Sequence, residues 1–146
     1  MALTSKRLRP IQQIADNRER KAAAALGERL RARQEAAQRL QELQGYRQEY
    51  MDRYIAAGQR GMSVAQIRDY QAFLDKLDVV IREQERVVER AEAACEQGRT
   101  QWQAQYTKTR IMSQVMTQTR SREEAERDKL EQKLQDERNQ RRVRQD

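Results

Sequence analysis

From Ile67 onward the chain keeps one row of residues in alternating steps of three and four. Ile67, Tyr70, Leu74, Leu77, Ile81, Val88, Ala91, Cys95, Trp102, Met112 and Met116 fall on it, with Gln84, Gly98, Gln105 and Thr109 in the remaining places. A seam held over seven heptads predicts a long helix in a left-handed coiled coil, and therefore a partner helix. Upstream, Ile11, Ile14, Leu26, Leu30, Ala37, Leu40, Leu43, Tyr46, Tyr50 and Tyr54 are spaced by threes, fours and sevens, with alanines filling the gap around Arg18 to Ala25. They predict a first helix over 10–57, opened by Pro10, whose missing amide costs nothing in a first turn. Gly27 and Gly45 lie inside this helix and each weakens it by about 1 kcal/mol relative to Ala, which implies either close approach of a partner or some bending.

Between the two helices, Gly58 and Gly61 supply the φ freedom to stop one helix and reverse the chain, so residues 58–63 read as the turn. Ser63 with Gln66 fits a capping box and Met62 with Ile67 a hydrophobic staple. So short a connection folds helix one back on helix two and sets pairs whose numbers sum to about 121: Tyr54 with Ile67, Tyr46 with Leu74 or Asp75, Leu40 with Ile81, Leu30 with Ala91, Leu26 with Cys95. The expected fold is all-α: one long antiparallel two-helix coiled coil, a helical hairpin, with residues 64–116 as the paired part of helix two. On this register residues 117–146 have nothing to lie against and form a protruding, charged C-terminal helix. Glu123 with Arg127 and Glu137 with Arg141 support it at four-residue spacing, but a lone helix of this kind is marginal and is expected to fray. Because each apolar stripe consumes the other, the expected species is an elongated monomer.

Composition agrees with a thin structure. Of 146 residues only 37% are hydrophobic and 36% are charged, with 5% aromatic and one proline, which cannot build a thick core. No run approaches the ~20 apolar residues of a membrane span, and the first ten residues lack the apolar core of a secretory signal, so a cytoplasmic protein is expected. One cysteine and no histidine exclude an internal disulfide and leave no zinc or iron set, hence no metal. Phosphate-binding glycine loops, a nucleophile elbow and a histidine base are all missing, so neither catalysis nor a cofactor is expected. Glu123, Glu124, Glu126 and Asp128 alternate with basic residues as a solvated face does. Cys95 and Trp102 sit on the seam, where packing accounts for them.

The net charge of +7 invites a nucleic-acid reading, but the excess is dispersed. Its densest clusters are terminal, Lys6, Arg7 and Arg9 at one end and Arg138, Arg141, Arg142 and Arg144 at the other, which fits a protein-binding role for the termini better. Near the turn Phe73, Leu77, Val80 and Val87 lie beside the seam while Tyr46, Tyr50, Met51 and Tyr54 belong to helix one. Packing within a helix pair accounts for about half of these; partly exposed aromatics on a slender arm are also the usual composition of a protein-binding patch, and composition leaves both open.

The run Leu43-Gln44-Gly45-Tyr46-Arg47-Gln48-Glu49-Tyr50, then Tyr54, Gly61-Met62-Ser63 and Asp69-Tyr70-Gln71-Ala72-Phe73-Leu74-Asp75-Lys76-Leu77 resembles the flagellar FliJ family of the type III export apparatus. Residues 40–84 carry the specific match. The resemblance implies an antiparallel two-helix coiled coil like the central stalk of rotary F-type ATPases. It implies a non-enzymatic stalk and coupling factor, whose terminal end associates with the export ATPase FliI and which also contacts the export gate protein FlhA. It admits the ATPase regulator FliH and export chaperones as further partners, and places the protein peripherally at the inner-membrane apparatus that builds the bacterial flagellum. The gate-binding positions carried over are Leu43, Tyr46, Tyr50, Phe73 and Leu77, with Val80 where the family often has Ala. The terminal arginines Arg7, Arg9, Arg138, Arg141 and Arg142 are the expected ATPase contacts. An escort or chaperone of export substrates, and the related stalk of a virulence injectisome, are the alternative readings.

Overall fold

The computed structural model describes residues 3–145; Met1, Ala2 and Asp146, which the sequence reading counts in the hairpin and its overhang, lie outside the described residues. Two helices account for nearly all of them, α1 over Ser5–Arg60 and α2 over Val64–Gln145, and no strand occurs among the described residues. The chain divides into two compact units, residues 23–101 and residues 1–22 with 102–146, where the sequence reading has a single unit. Each contains an antiparallel pairing of α1 with α2.

In the unit of residues 23–101 the turn is shorter than the two glycines imply. α1 continues through Gly58 to Arg60, and Gly61 alone takes a left-handed conformation, φ +91°. The Gly61 amide donates to the Gly58 carbonyl at 3.2 Å, so one orphan carbonyl of the helix end is satisfied. The capping box forms: the Ser63 amide donates to Gln66 Oε1 at 3.0 Å and the Gln66 amide to Ser63 Oγ at 3.2 Å. Because α1 runs three residues further than the sequence reading has it, the register moves by three, and partners sum to about 124 instead of 121. Tyr54 meets Tyr70, Cys95 donates its thiol to the Arg29 carbonyl at 3.1 Å, and Leu26 lies against Gly98, pairs that sum to 124.

That register reveals the inner face of α1. Leu26, Arg29, Arg33, Ala36, Leu40, Leu43, Arg47, Tyr50, Tyr54 and Ala57 are its buried or half-buried row, in the same three-four alternation as α2. Ala37 and Tyr46, which the sequence reading places on the stripe, are exposed. Polar side chains fill the seam by bonding to backbone: Arg29 Nη1 donates to the Ala94 carbonyl at 3.0 Å and Gln84 Nε2 to the Ala36 carbonyl at 3.0 Å. The close approach falls at Gly98, where an added Cβ would lie 3.1 Å from Arg29 Cδ. At Gly45 and Gly27 it would meet nothing within 4 Å, so neither glycine marks a close approach. Gly45→Ala is therefore expected to raise the unfolding free energy by about 0.5–1 kcal/mol. Gly61→Ala, forced into the left-handed region, should lower it by about 1–2 kcal/mol. Denaturant titration followed by circular dichroism measures both.

In the other unit α1 starts at Ser5, so Pro10 stands inside the helix and leaves the Lys6 carbonyl without its intrahelical donor. The exposed position of Pro10 lets water serve that carbonyl. The start is held from both directions. Thr4 caps it, accepting the Arg7 amide at its carbonyl, 3.1 Å, and at Oγ1, 3.3 Å. Glu123 of α2 receives the Ser5 amide at 2.7 Å and the Ser5 hydroxyl at 2.8 Å, and the Arg122 guanidinium donates to the Leu3 carbonyl. The α2 row accordingly continues past Met116 through buried Thr119 to Glu123, and pairing extends beyond the position at which the sequence reading begins the overhang. Ile11 and Ile14 are exposed, while Leu8, Gln12, Ala15 and Glu19 face inward. α2 remains helical to Gln145, and from Glu124 on every described residue is exposed.

A carboxylate at a helix N-terminus is stabilised by the unpaired amides and the positive end of the dipole. The Ser5 amide and hydroxyl hold the Glu123 carboxyl below the usual glutamate range. A lowered pKa means that the stabilisation is present above the ordinary carboxylate range and disappears as pH falls through the depressed value. Protection of the amides at residues 5–8, taken relative to the intrinsic exchange rate at each pH, should therefore fall as pH drops below the ordinary carboxylate range. Glu123→Gln, which still accepts one hydrogen bond but carries no charge, should remove most of that acid dependence; hydrogen exchange at pH 3, 5 and 7 reads the difference.

Candidate protein-docking surface

The residues next to the seam decide what the unit of residues 23–101 offers to solvent. In an antiparallel pair the positions just before one set of seam residues lie together on one flank, and those just after the other set lie together on the opposite flank. Tyr46 precedes Arg47; Phe73, Val80 and Val87 precede Leu74, Ile81 and Val88. This flank is open to solvent and carries an apolar row, with Tyr46 51%, Phe73 42% and Val80 41% exposed and Val87 beside them; on α1 the exposed Arg39 and Arg53 stand on the same flank, before Leu40 and Tyr54. The opposite flank carries Gln44, Gln71, Asp78 and Glu85. There the Arg47 Nε donates to Asp78 Oδ1 at 2.6 Å. This bond raises the Arg47 pKa and, from the other side, holds the Asp78 carboxyl below its ordinary range.

Beneath the apolar flank the aromatics support one another. The Tyr50 ring lies 4.2 Å from Phe73 and 5.2 Å from Tyr70 between centroids, and Tyr54 meets Tyr70 edge-on at 5.5 Å. Such contacts fix ring orientation and add stability beyond area burial. The six positions carried over from the resemblance thus separate. Tyr46, Phe73 and Val80 are surface, Tyr50 and Leu77 are half-buried beneath them, and Leu43 is core at 4% exposure. Val87 stands outside that set although its place seven residues after Val80 puts it on the same row; heptad spacing alone identifies it.

The terminal arginines belong to the unit of residues 1–22 with 102–146. Arg7, Arg9, Arg138, Arg141 and Arg142 are all exposed. Arg7 and Arg9 sit in the first turns of α1, whereas the other three lie on α2 well beyond Glu123, where Ser5 is held, so the two sets are not gathered into one cluster. On the seam of this unit Trp102 stacks on Tyr106 at 5.3 Å, with the Arg110 guanidinium 5.9 Å from the Tyr106 ring, and the Trp102 indole N–H donates to Glu19 at 3.1 Å.

Among the described residues no group of three or more metal-ligating side chains gathers, and no helix is long and apolar enough to cross a membrane. Two long helices, paired antiparallel within each unit, define an all-α helical hairpin of coiled-coil type. Residues 4–146 match the family model described as flagellar FliJ protein, and the chain belongs to that family. Its members are components of flagellar protein export. No curated protein and no solved structure matches the chain.

Proposed function

We propose that this protein is a stalk and coupling factor of flagellar type III export, joining the export ATPase to the export gate without catalysing a reaction itself. The observation that carries the reading is the family match over nearly the whole chain. The exposed row of Tyr46, Phe73 and Val80 supports the gate half of it: aromatic anchors left in water on an otherwise polar surface are where interface energy concentrates. Leu77, Tyr50 and Leu43 position that row from below. The ATPase half rests on the exposed arginines Arg7, Arg9, Arg138, Arg141 and Arg142, with the protein held in the cytoplasm at the membrane-bound apparatus through its partners.

The test is a pull-down of the full chain with the purified export ATPase and, separately, with the cytoplasmic domain of the gate protein. Retention of both supports the coupling role. Capture of export substrates with neither ATPase nor gate would replace it with an escort role.

A further inference from the structure

The apolar flank has a regular period and a charged border. Phe73, Val80 and Val87 recur every seven residues on α2, and on α1 the outer positions next to the same flank are Glu28, Glu35, Glu42 and Glu49, again every seven residues and all exposed. In a chain of net charge +7 this row is an acidic edge of single sign along α1, and inside it, on either side of Tyr46, stand the exposed Arg39 and Arg53. Glu42 has Arg39 at 3.5 Å; Glu28, Glu35 and Glu49 have no ion pair among the described residues. The two rows share the period of the coiled coil itself, so an occupant that matches them turn for turn has that period too. An extended strand, with side chains alternating every second residue, does not keep step with it.

We infer that this flank receives a third α-helix from a partner protein, one with apolar residues at seven-residue spacing and lysines or arginines along the edge that faces Glu28, Glu35, Glu42 and Glu49. The inference rests on the docking reading above only in taking the flank as a binding face, and adds the shape and charge of what binds there. The apolar row spans fourteen residues of α2, so a partner helix of about 14–21 residues, roughly 20–30 Å long, covers it. The apolar row supplies affinity; the acidic edge orients the helix and selects against acidic ones.

The experiment uses the full chain and two synthetic 21-residue helical peptides with the same leucine heptad face, one edged with lysine and its twin edged with glutamate. Fluorescence anisotropy should show binding of the lysine-edged peptide at least 10-fold tighter than its twin. Val80→Glu, on the surface, should abolish it. Glu28→Lys with Glu35→Lys and Glu49→Lys should weaken it about 10-fold and reverse the preference between peptides. Circular dichroism confirms that each variant stays helical. Equal binding of the two peptides, no binding of either, or a triple charge reversal without effect overturns the inference. The docking reading is judged separately by the gate domain: gate binding that is lost in Val80→Glu but indifferent to the triple reversal keeps the docking face and discards the basic helix.

Discussion

Leu43→Ala is expected to lower the unfolding free energy by about 2–4 kcal/mol, whereas Tyr46→Ala, three residues along the same helix, should leave it within about 0.5 kcal/mol. Leu43 is 4% exposed and lies on the seam facing Ile81, also buried; Tyr46 is 51% exposed. Truncating the leucine leaves a cavity between two helices that have no second layer to collapse from, while truncating the tyrosine removes a ring from water. Binding to the gate domain should show the reverse ordering. Tyr46→Ala and Phe73→Ala are each expected to weaken it by about 10–100-fold, the usual cost of removing an aromatic anchor. Leu43→Ala should bind normally once the folded fraction is corrected for. Phe73 rests on Tyr50 at 4.2 Å, so Phe73→Ala carries a stability cost of about 1 kcal/mol as well. Thermal melts paired with titration calorimetry separate the two effects. Equal losses of binding and stability across the three variants would show that the row is core and would remove the gate half of the proposed function.

The α2 seam was readable because its places are held mostly by large apolar residues, and the structure keeps every one of them from Ile67 to Met116 half-buried or buried. The α1 seam was not. Its places hold Gln12, Glu19, Arg29, Arg33 and Arg47, whose long stems pack while their polar ends reach backbone or solvent, and Ile11, Ile14 and Tyr46 stand off the seam and imitate a stripe. The turn misleads for a related reason. Two glycines offer the same conformational freedom, and only the second uses it: Gly58 tolerates helix, and the reversal belongs to Gly61. The start of α1 is set by Thr4 and by Glu123, which lies 118 residues away from Ser5, and no local pattern announces such a partner. Of the docking surface, the three exposed positions are legible through the resemblance. The acidic edge is legible only once the register is known, because Glu28, Glu35, Glu42 and Glu49 become a row when the seam residues beside them are named.

Removing residues 126–146 should abolish stimulation of the export ATPase while leaving both the fold and gate binding intact. The boundary follows from the cap. Glu123 is the last described residue that is half-buried rather than exposed, and it holds the Ser5 amide and hydroxyl, so a cut at 117 would release the start of α1 and confuse misfolding with lost contact. Beyond Glu123 the described residues are all exposed, and between Arg138 and Arg144 the helix carries Arg138, Arg141, Arg142 and Arg144 with no acidic residue among them. Solvated guanidinium groups bind through long-range attraction that salt screens, with a Debye length of about 10 Å at 0.1 M. Stimulation by the full chain should accordingly fall steeply between 50 and 300 mM salt, and reversing Arg138, Arg141 and Arg142 to glutamate should reproduce the truncation. Circular dichroism establishes that the remaining helices persist, and ATP hydrolysis with hexamer formation reads the contact. Undiminished stimulation by the truncated chain would take the ATPase contact away from this segment and leave Arg7 and Arg9, on the first turns of α1, as the only terminal arginines able to make it; loss of gate binding in the same truncation would reverse the assignment of the two partners to the two ends of the helices.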